Sequence, residues 1–387
     1  MTSRRDAFRN LLAFAASSPV WSQAPEALLE KVNDGDVMGP VNVHEFETVA
    51  KKKLHKLAYD FIAGGVEDEL TLRANRAAYQ RAVLLPRVMV DTSKIDMSLE
   101  LCGMKLDSPI IIAPTGGKNL VIQNADELVA GGALAMKTAI CSATGVQKYL
   151  SEGKPLLWLA NTIGSPTKAS AATYAKRVKD GGGKGIVLTV DNQYQSNRDR
   201  NNRNLFDYGY MQTGIPKEGE KPKPRSPATA AMWQPHTPQM TWNYIEWLKS
   251  GANIPVIVKG ITNPEDAAMA VSNGADAVVV SNHGGRQMDG VIGTLDALPD
   301  CVDAVAGKVP VLMDGGIRRG VDIVKALAFG AKAVLVGRAP LWGLGAFGQP
   351  GVERVLWLLQ AELKLAMGLA GTPTLASINR KIVKRLG

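Results

Sequence analysis

Cysteine is scarce in this chain. The three present, Cys102, Cys141 and Cys301, form no CxxC pair and no metal-ligand spacing, so a thiol redox motif and a thiolate metal centre are both excluded. Cys141 reads as strand core and the other two as incidental. Aromatic residues make up only 6% of the chain, and the lysines and arginines are scattered rather than interleaved with aromatics on a basic helix. That distribution argues against nucleic acid as a partner. No run of about 20 apolar residues occurs, so no integral membrane segment is expected. There is no Walker sequence. "DGGGKG" (180–185) precedes a strand pattern instead of following one, which makes it a helix-to-strand turn and not a dinucleotide fingerprint. Histidine is rarer than any of these features would suggest for an enzyme: there are four in 387 residues.

What is there is an ordinary globular composition, 45% hydrophobic and 21% charged, with a net charge of +9. An anionic cofactor or a carboxylate substrate accounts for that excess of positive charge. Residues 1–25 carry a paired arginine (Arg4, Arg5), Phe8, a short apolar run and small residues. This is the layout of a twin-arginine export signal, with the phenylalanine one position later than usual. A periplasmic location is expected if the signal is used and a cytoplasmic one otherwise; an amphipathic N-terminal helix is the alternative reading.

Eight short apolar runs recur, at 108–114, 139–143, 156–162, 185–191, 254–260, 277–283, 309–316 and 333–338. Each is nearly continuous in Val, Ile and Leu, as parallel strands buried on both faces require. Helical spacing ending in glycine fills the gaps, as in "RRGVDIVKALAFG". Strand and helix alternating eight times predict an α/β fold, a (β/α)8 TIM barrel, with a doubly wound open sheet as the alternative. The barrel domain is expected over 40–387. Residues 40–107 form a helical and then strand-rich cover, and the Pro- and Lys-rich stretch 214–239 is inserted after the fourth strand as a flexible, lid-like segment.

Polar residues gather where these strands end: Thr115, Ser142, Thr189, Asp191, Lys259, Ser281, His283, Asp314 and Arg338. A strand buried on both sides has no structural use for them, and in a barrel the C-terminal face carries catalysis. His283 and Asp314 end adjacent strands, so an aspartate holding one imidazole nitrogen is expected, leaving the other as a base. Arg286, across "GG", offers a planar fork for a carboxylate. "DGGIRRG" (314–320) and "VGRAP" (336–340) suit a phosphate, with Gly315, Gly316 and Gly337 admitting backbone N–H groups and Arg318 or Arg338 supplying charge.

"SNHGGRQMDG", "LMDGGIRRGVDIVKALAFGAKAVLVGR", "IPVIVKGI", "IIIAPT" and "LTVD" together resemble the FMN-dependent 2-hydroxy acid oxidase and dehydrogenase family, which includes glycolate oxidase, lactate oxidase and mandelate dehydrogenase. The likeness spans about residues 42–381. It implies an FMN-dependent enzyme oxidising a 2-hydroxy carboxylate to the 2-oxo acid and passing electrons to oxygen or another carrier. It also implies a homo-oligomer, commonly a tetramer. His283 would be the base with Asp314 as its partner, Arg286 and Arg198 would bind the substrate carboxylate, and Lys259 would lie beside the flavin. Pro114, Thr115, Gly116, Ser142, Thr189 and Ser281 would meet the isoalloxazine, while Gly315, Gly316, Arg318, Gly337 and Arg338 would hold the phosphate.

The chain departs from that family's pattern in several places. Phe61 stands where the family has a substrate tyrosine. "WLA" replaces "QLY", which would put Trp158 in place of a flavin-contacting glutamine and Ala160 in place of a second tyrosine. Gly116 and Gly117 follow Thr115, and the segment after Ser142 lacks a tryptophan. A roomier, less polar pocket and a substrate bulkier than glycolate or lactate are therefore expected. An amine or peptide-derived substrate, or flavin binding without turnover, are the alternatives. The set His283, Asp314, Arg286 and Lys259 speaks against the last, because a mere binder would not require a base.

Overall fold

The computed structural model describes residues 32–216 and 236–386. Residues 1–25 with their paired arginine, and most of the 214–239 insertion, lie outside the described residues. The described chain opens with three helices, α1 (Val43–Lys53), α2 (Lys56–Ala63) and α3 (Leu70–Arg81). Asn42 starts α1 by accepting the Glu45 N–H at 3.1 Å, while the Glu45 carboxylate takes the Val41 N–H at 2.9 Å; such side-chain caps satisfy donors a helix start leaves unpaired. Strand β1 (Ala82–Leu84) follows, and then a hairpin of β2 (Leu99–Leu101) and β3 (Met104–Leu106). Its two turn residues, Cys102 and Gly103, both have positive φ, 49° and 75°, as a tight hairpin demands. Leu101, Met104 and Leu106 pack into the same cluster as the inward side chains of the barrel, so the hairpin plugs the barrel at the N-terminal end of its first strand.

The barrel runs β4 (Ile110–Ile112), α4 (Ala125–Ala135), β5 (Ala139–Ser142), α5 (Gln147–Ser151), β6 (Trp158–Thr162), α6 (Lys168–Asp180) and β7 (Gly185–Thr189). Two short helices, α7 (Asp199–Arg203) and α8 (Tyr210–Thr213), precede α9 (Asn243–Gly251). Then come β8 (Val256–Ile261), α10 (Pro264–Ser272), β9 (Ala277–Val280), α11 (Thr294–Val305), β10 (Val311–Met313), α12 (Gly320–Ala328) and β11 (Ala333–Val336). Helix α13 (Arg338–Leu369) breaks at Phe347–Gly348, and β12 (Val383–Arg385) returns to pair antiparallel with β1. β11 closes on β4 through Val334↔Ile110, Leu335↔Ile111 and Val336↔Ile112. Eight parallel strands thus form a closed barrel, which settles the choice against an open sheet. Among the described residues, no helix is long and apolar enough to cross a membrane.

Two apolar layers hold this together. Ile111, Cys141, Leu159, Val187, Ile257, Val279, Leu312 and Leu335 fill the barrel interior, while alternate residues such as Ile110, Ile140, Ile186 and Val258 pack against the helices. Each fully buried side chain of this size contributes about 1.5–3 kcal/mol. The same alternation decides which strand-end side chains reach the mouth. On β6 it points Leu159 and Asn161 inward, and leaves Trp158 and Ala160 in the helix-facing layer.

Candidate active site

At the C-terminal mouth lies a cavity of about 460 Å³, within the range of about 300–1,000 Å³ usual for small-molecule sites. His283 stands on its wall, three residues beyond the end of β9 and in left-handed backbone, φ 57°. The turn that forces this conformation is anchored from a distance. Asn282 exchanges two 2.9 Å hydrogen bonds with Asn75 of α3, and its Oδ1 also accepts the Gly285 N–H. The His283 N–H donates to Ser281 Oγ at 3.1 Å. A non-glycine residue at positive φ is strained, and such strain is held where surrounding contacts over-determine it.

His283 pairs with Asp191: the Nδ1–Oδ1 distance is 2.8 Å. Asp314 is therefore not its partner, contrary to the expectation from adjacent strand ends. The left-handed turn carries the imidazole off the line of β9, toward the side of the mouth where Asp191 follows β7. Asp314 instead pairs with Lys259, Nζ–Oδ2 3.0 Å, and both side chains are nearly inaccessible. Burial alone would lift the Asp191 pKa, but His283 and Lys259 outweigh it and hold that carboxyl below its ordinary value. Burial likewise works against the Lys259 ammonium, yet Asp314 and Asp191 together raise its pKa above the ordinary 10.5. With Asp191 ionised, His283 Nδ1 is the donor, so in the neutral ring the lone pair is on Nε2.

Two arginines line the same cavity as the imidazole. Arg198 Nε donates to Ser196 Oγ at 2.8 Å, and Arg286 Nη1 donates to the carbonyls of Phe61 and Gly64 at 2.7 and 2.9 Å. The other guanidinium nitrogens, both Nη of Arg198 and Nε and Nη2 of Arg286, have no protein acceptor among the described residues. Burial lowers the pKa of both groups, and in Arg286 the neighbouring Arg198 and Arg338 add to the effect. Such crowding of desolvated cations without a carboxylate is the signature of an anion site.

The same cavity carries two more cations, and one of them, Arg338, shares the Ile62 and Gly64 carbonyls with Arg286. Arg318, Arg338, Gly315, Gly316 and Gly337 all line it. Arg338 spans the Ile62, Gly64 and Gly284 carbonyls at 2.8, 2.9 and 2.8 Å, while Arg318 Nη1 reaches only the Ile317 carbonyl, at 3.0 Å. Neither has a carboxylate partner among the described residues. On two residues of the same lining, Thr115 Oγ1 and Asp314 Oδ1 are buried with no hydrogen-bond partner among the described residues. Polar atoms left in this state call for a ligand.

Of the remaining expected contacts, Pro114, Thr115, Gly116, Ser142, Thr189 and Lys259 line the cavity. Ser281 does not: it is fully buried, and its Oγ accepts the Lys259 ammonium at 3.0 Å, so it supports the lysine instead of meeting a flavin. Trp158 does not replace an amide at the mouth either. It faces outward, its Nε1 donating to the Ser142 carbonyl at 2.8 Å. The inward amide of β6 is Asn161, whose Oδ1 accepts the Thr189 hydroxyl at 3.0 Å, and Ile163, rather than Ala160, is the next residue on the cavity wall. Asp191 and Asn161 were both visible in the sequence as polar residues at strand ends. Counting inward positions along β6 would have found Asn161; nothing local announces the pairing of Asp191.

Four arginines and one histidine lining a single cavity suit a phosphate-bearing cofactor lying beside a small acid. Comparison with known proteins gives the family: the chain matches FMN-dependent dehydrogenase over residues 50–385 and belongs to that family. It is 42% identical to peroxisomal (S)-2-hydroxy-acid oxidase GLO4 of Oryza sativa subsp. japonica, covering 90% of this chain and 97% of that protein. It is 40% identical to L-lactate oxidase of Nostoc sp., covering 89% and 98%. Among solved structures, mandelate oxidase superposes with a TM-score of 0.79 at 33% identity, covering 89% of this chain and 99% of that one. The cofactor is FMN. The residues fit it: Arg318 and Arg338 offer charge for a phosphate, and the partnerless Thr115 Oγ1 and the Lys259–Asp314 pair lie where a polar ring would need donors and acceptors.

Proposed function

We propose that this protein oxidises a 2-hydroxy carboxylate to the 2-oxo acid, with His283 as the base. The family and its hydroxy-acid oxidase relatives support the reaction class. The observation that carries the residue roles is the His283–Asp191 pair, its imidazole in one cavity with Arg198 and Arg286. The two guanidiniums hold the substrate carboxylate, which fixes the hydroxyl-bearing carbon against the imidazole. His283 Nε2 takes a proton from the substrate, and the ionised Asp191 steadies the imidazolium that forms. FMN, when bound, accepts the two electrons that leave the carbon. Lys259, kept charged by Asp314, stabilises negative charge gathering nearby.

Part of the cavity wall is apolar, beside polar residues such as Asn192, Gln195 and His236. Phe61, Ile163 and Met211 line the cavity, which favours a substrate with a larger side chain than glycolate or lactate. Anaerobic mixing of the purified yellow protein with a panel of 2-hydroxy acids tests both parts. Bleaching of the flavin by the bulkier acids is expected, as is its loss in His283→Gln with FMN retained. Fastest bleaching by glycolate or lactate would remove the size argument, and undiminished bleaching in the variant would remove the base. Admitting air afterwards assigns the acceptor, since rapid recovery of colour marks oxygen.

Export is a separate proposal, supported by Arg4–Arg5. Replacing both with lysine should keep the protein in the cytoplasm. Unchanged appearance outside it would end the idea.

A further inference from the structure

Phe61 has no hydroxyl, yet its ring sits beneath both carboxylate-binding arginines, 5.6 Å from the Arg198 guanidinium carbon and 5.0 Å from that of Arg286. Phe206 stacks on Phe61 with centroids 4.9 Å apart, and Tyr208 meets Phe206 edge-on at 5.4 Å and 85°. Tyr208 lines the same cavity. Its oxygen accepts from Asn201 Nδ2 at 3.3 Å, while its own proton finds no acceptor among the described residues. A phenol with an uncommitted donor, at the wall of an anion site, has a defined use: it can hydrogen-bond to the anion.

We propose that Tyr208 is a substrate-binding residue whose phenolic O–H donates to the carboxylate held by Arg198 and Arg286, supplying from the loop between α7 and α8 the hydroxyl absent at Phe61. This rests on the reading of the site as one for a 2-hydroxy carboxylate. Tyr208 and Phe206 belong to one aromatic cluster, so a purely structural role for the ring is the competing account. The two accounts differ only in the hydroxyl.

Tyr208→Phe keeps the ring and removes that hydroxyl. The experiment follows anaerobic flavin reduction in the wild-type and variant holoenzymes, using the best acid of the panel and the neutral 2-hydroxy amide of the same skeleton. A hydrogen bond to a charged group makes a difference of about 10- to 100-fold in binding. The expected result is therefore an acid dissociation constant raised by about that factor in the variant, with the limiting reduction rate and FMN content unchanged, and with equal amide affinity in both proteins. An unchanged constant for the acid, or equal weakening for acid and amide, overturns the assignment while leaving the wider reading intact. Wild-type flavin that no 2-hydroxy acid reduces overturns both.

Discussion

Gly260 lies directly behind Asp191. A Cβ at Gly260 would fall 2.5 Å from Asp191 Cγ, and the backbone there has φ 115°, a conformation closed to other residues. The glycine sits at the register shift of β8 between Lys259 and Ile261, so an irregularity in one strand makes room for the carboxylate that follows another. Gly260→Ala should displace Asp191 and lower kcat/KM by about 100-fold, the usual effect of a 1 Å misplacement, while FMN is retained. Steady-state assays on FMN-loaded protein check it; a variant with wild-type rates would show that Asp191 does not need its present position.

The two aspartates should part company on mutation. Asp191→Asn leaves His283 Nδ1 without an anionic partner, and kcat/KM should fall by about 10²–10⁴ with little change in melting temperature. Asp314→Asn leaves the Lys259 ammonium, whose side chain is 4% exposed, without the carboxylate it pairs with. Breaking such a buried pair costs about 3–5 kcal/mol, so the second variant should be thermally labile. Thermal denaturation beside turnover reads both, and the reverse pattern would mean the pairings described here are wrong.

That contrast also marks what the sequence could disclose. Period and composition show the eight strands, because strands buried on both faces cannot be built from polar residues, and the polar termini point to the mouth. The pairing inside the mouth depends on features that no window of sequence carries. One is the left-handed turn at His283, which redirects the imidazole. Another is the reach of Asn75 from α3 to Asn282, 207 positions away. A third is inward parity: aligning Trp158, instead of Asn161, with the family's glutamine shifts β6 by three residues, and any odd shift exchanges its two faces. Arg198 and Arg286, whose positions the motif itself fixes, both line the cavity as the resemblance implied.

His44, on α1, gives a pH prediction. Burial first, and then the charges of Arg76, Arg318 and Arg319, push its pKa down to about 4. The unfolded chain, with histidine near 6.5, then binds a proton more readily than the folded one, so stability falls as pH drops from about 6.5 to about 4. For a half-buried ring about 1–2 kcal/mol of stability is expected to be lost over that range. His44→Gln should flatten this slope. Urea midpoints at pH 7 and pH 4.5 measure it, and an unaltered slope in the variant would assign the acid sensitivity elsewhere.

Arg198 and Arg286, the arginines proposed to bind the substrate, differ in what else they hold, and lysine substitutions separate the roles. Arg198 makes one hydrogen bond below 3 Å, to Ser196 Oγ, and leaves both Nη atoms toward the cavity. Arg198→Lys should raise the substrate dissociation constant by about 10- to 100-fold, since an ammonium cannot reproduce a two-pronged contact, and should leave the melting temperature unchanged. Arg286 also gathers the carbonyls of Phe61, Ile62 and Gly64 at the C-terminal end of α2, where a helix presents unpaired acceptors and a negative dipole end. Arg286→Lys should therefore weaken the substrate to the same degree and destabilise the fold as well, by about 1–3 kcal/mol as the Phe61 carbonyl loses its donor, Arg338 still holding Ile62 and Gly64. Titrations of acid into each holoenzyme, paired with thermal melts, distinguish them. Equal melting temperatures for the two variants would show that the grip of Arg286 on α2 adds nothing to stability, leaving carboxylate binding as its only part.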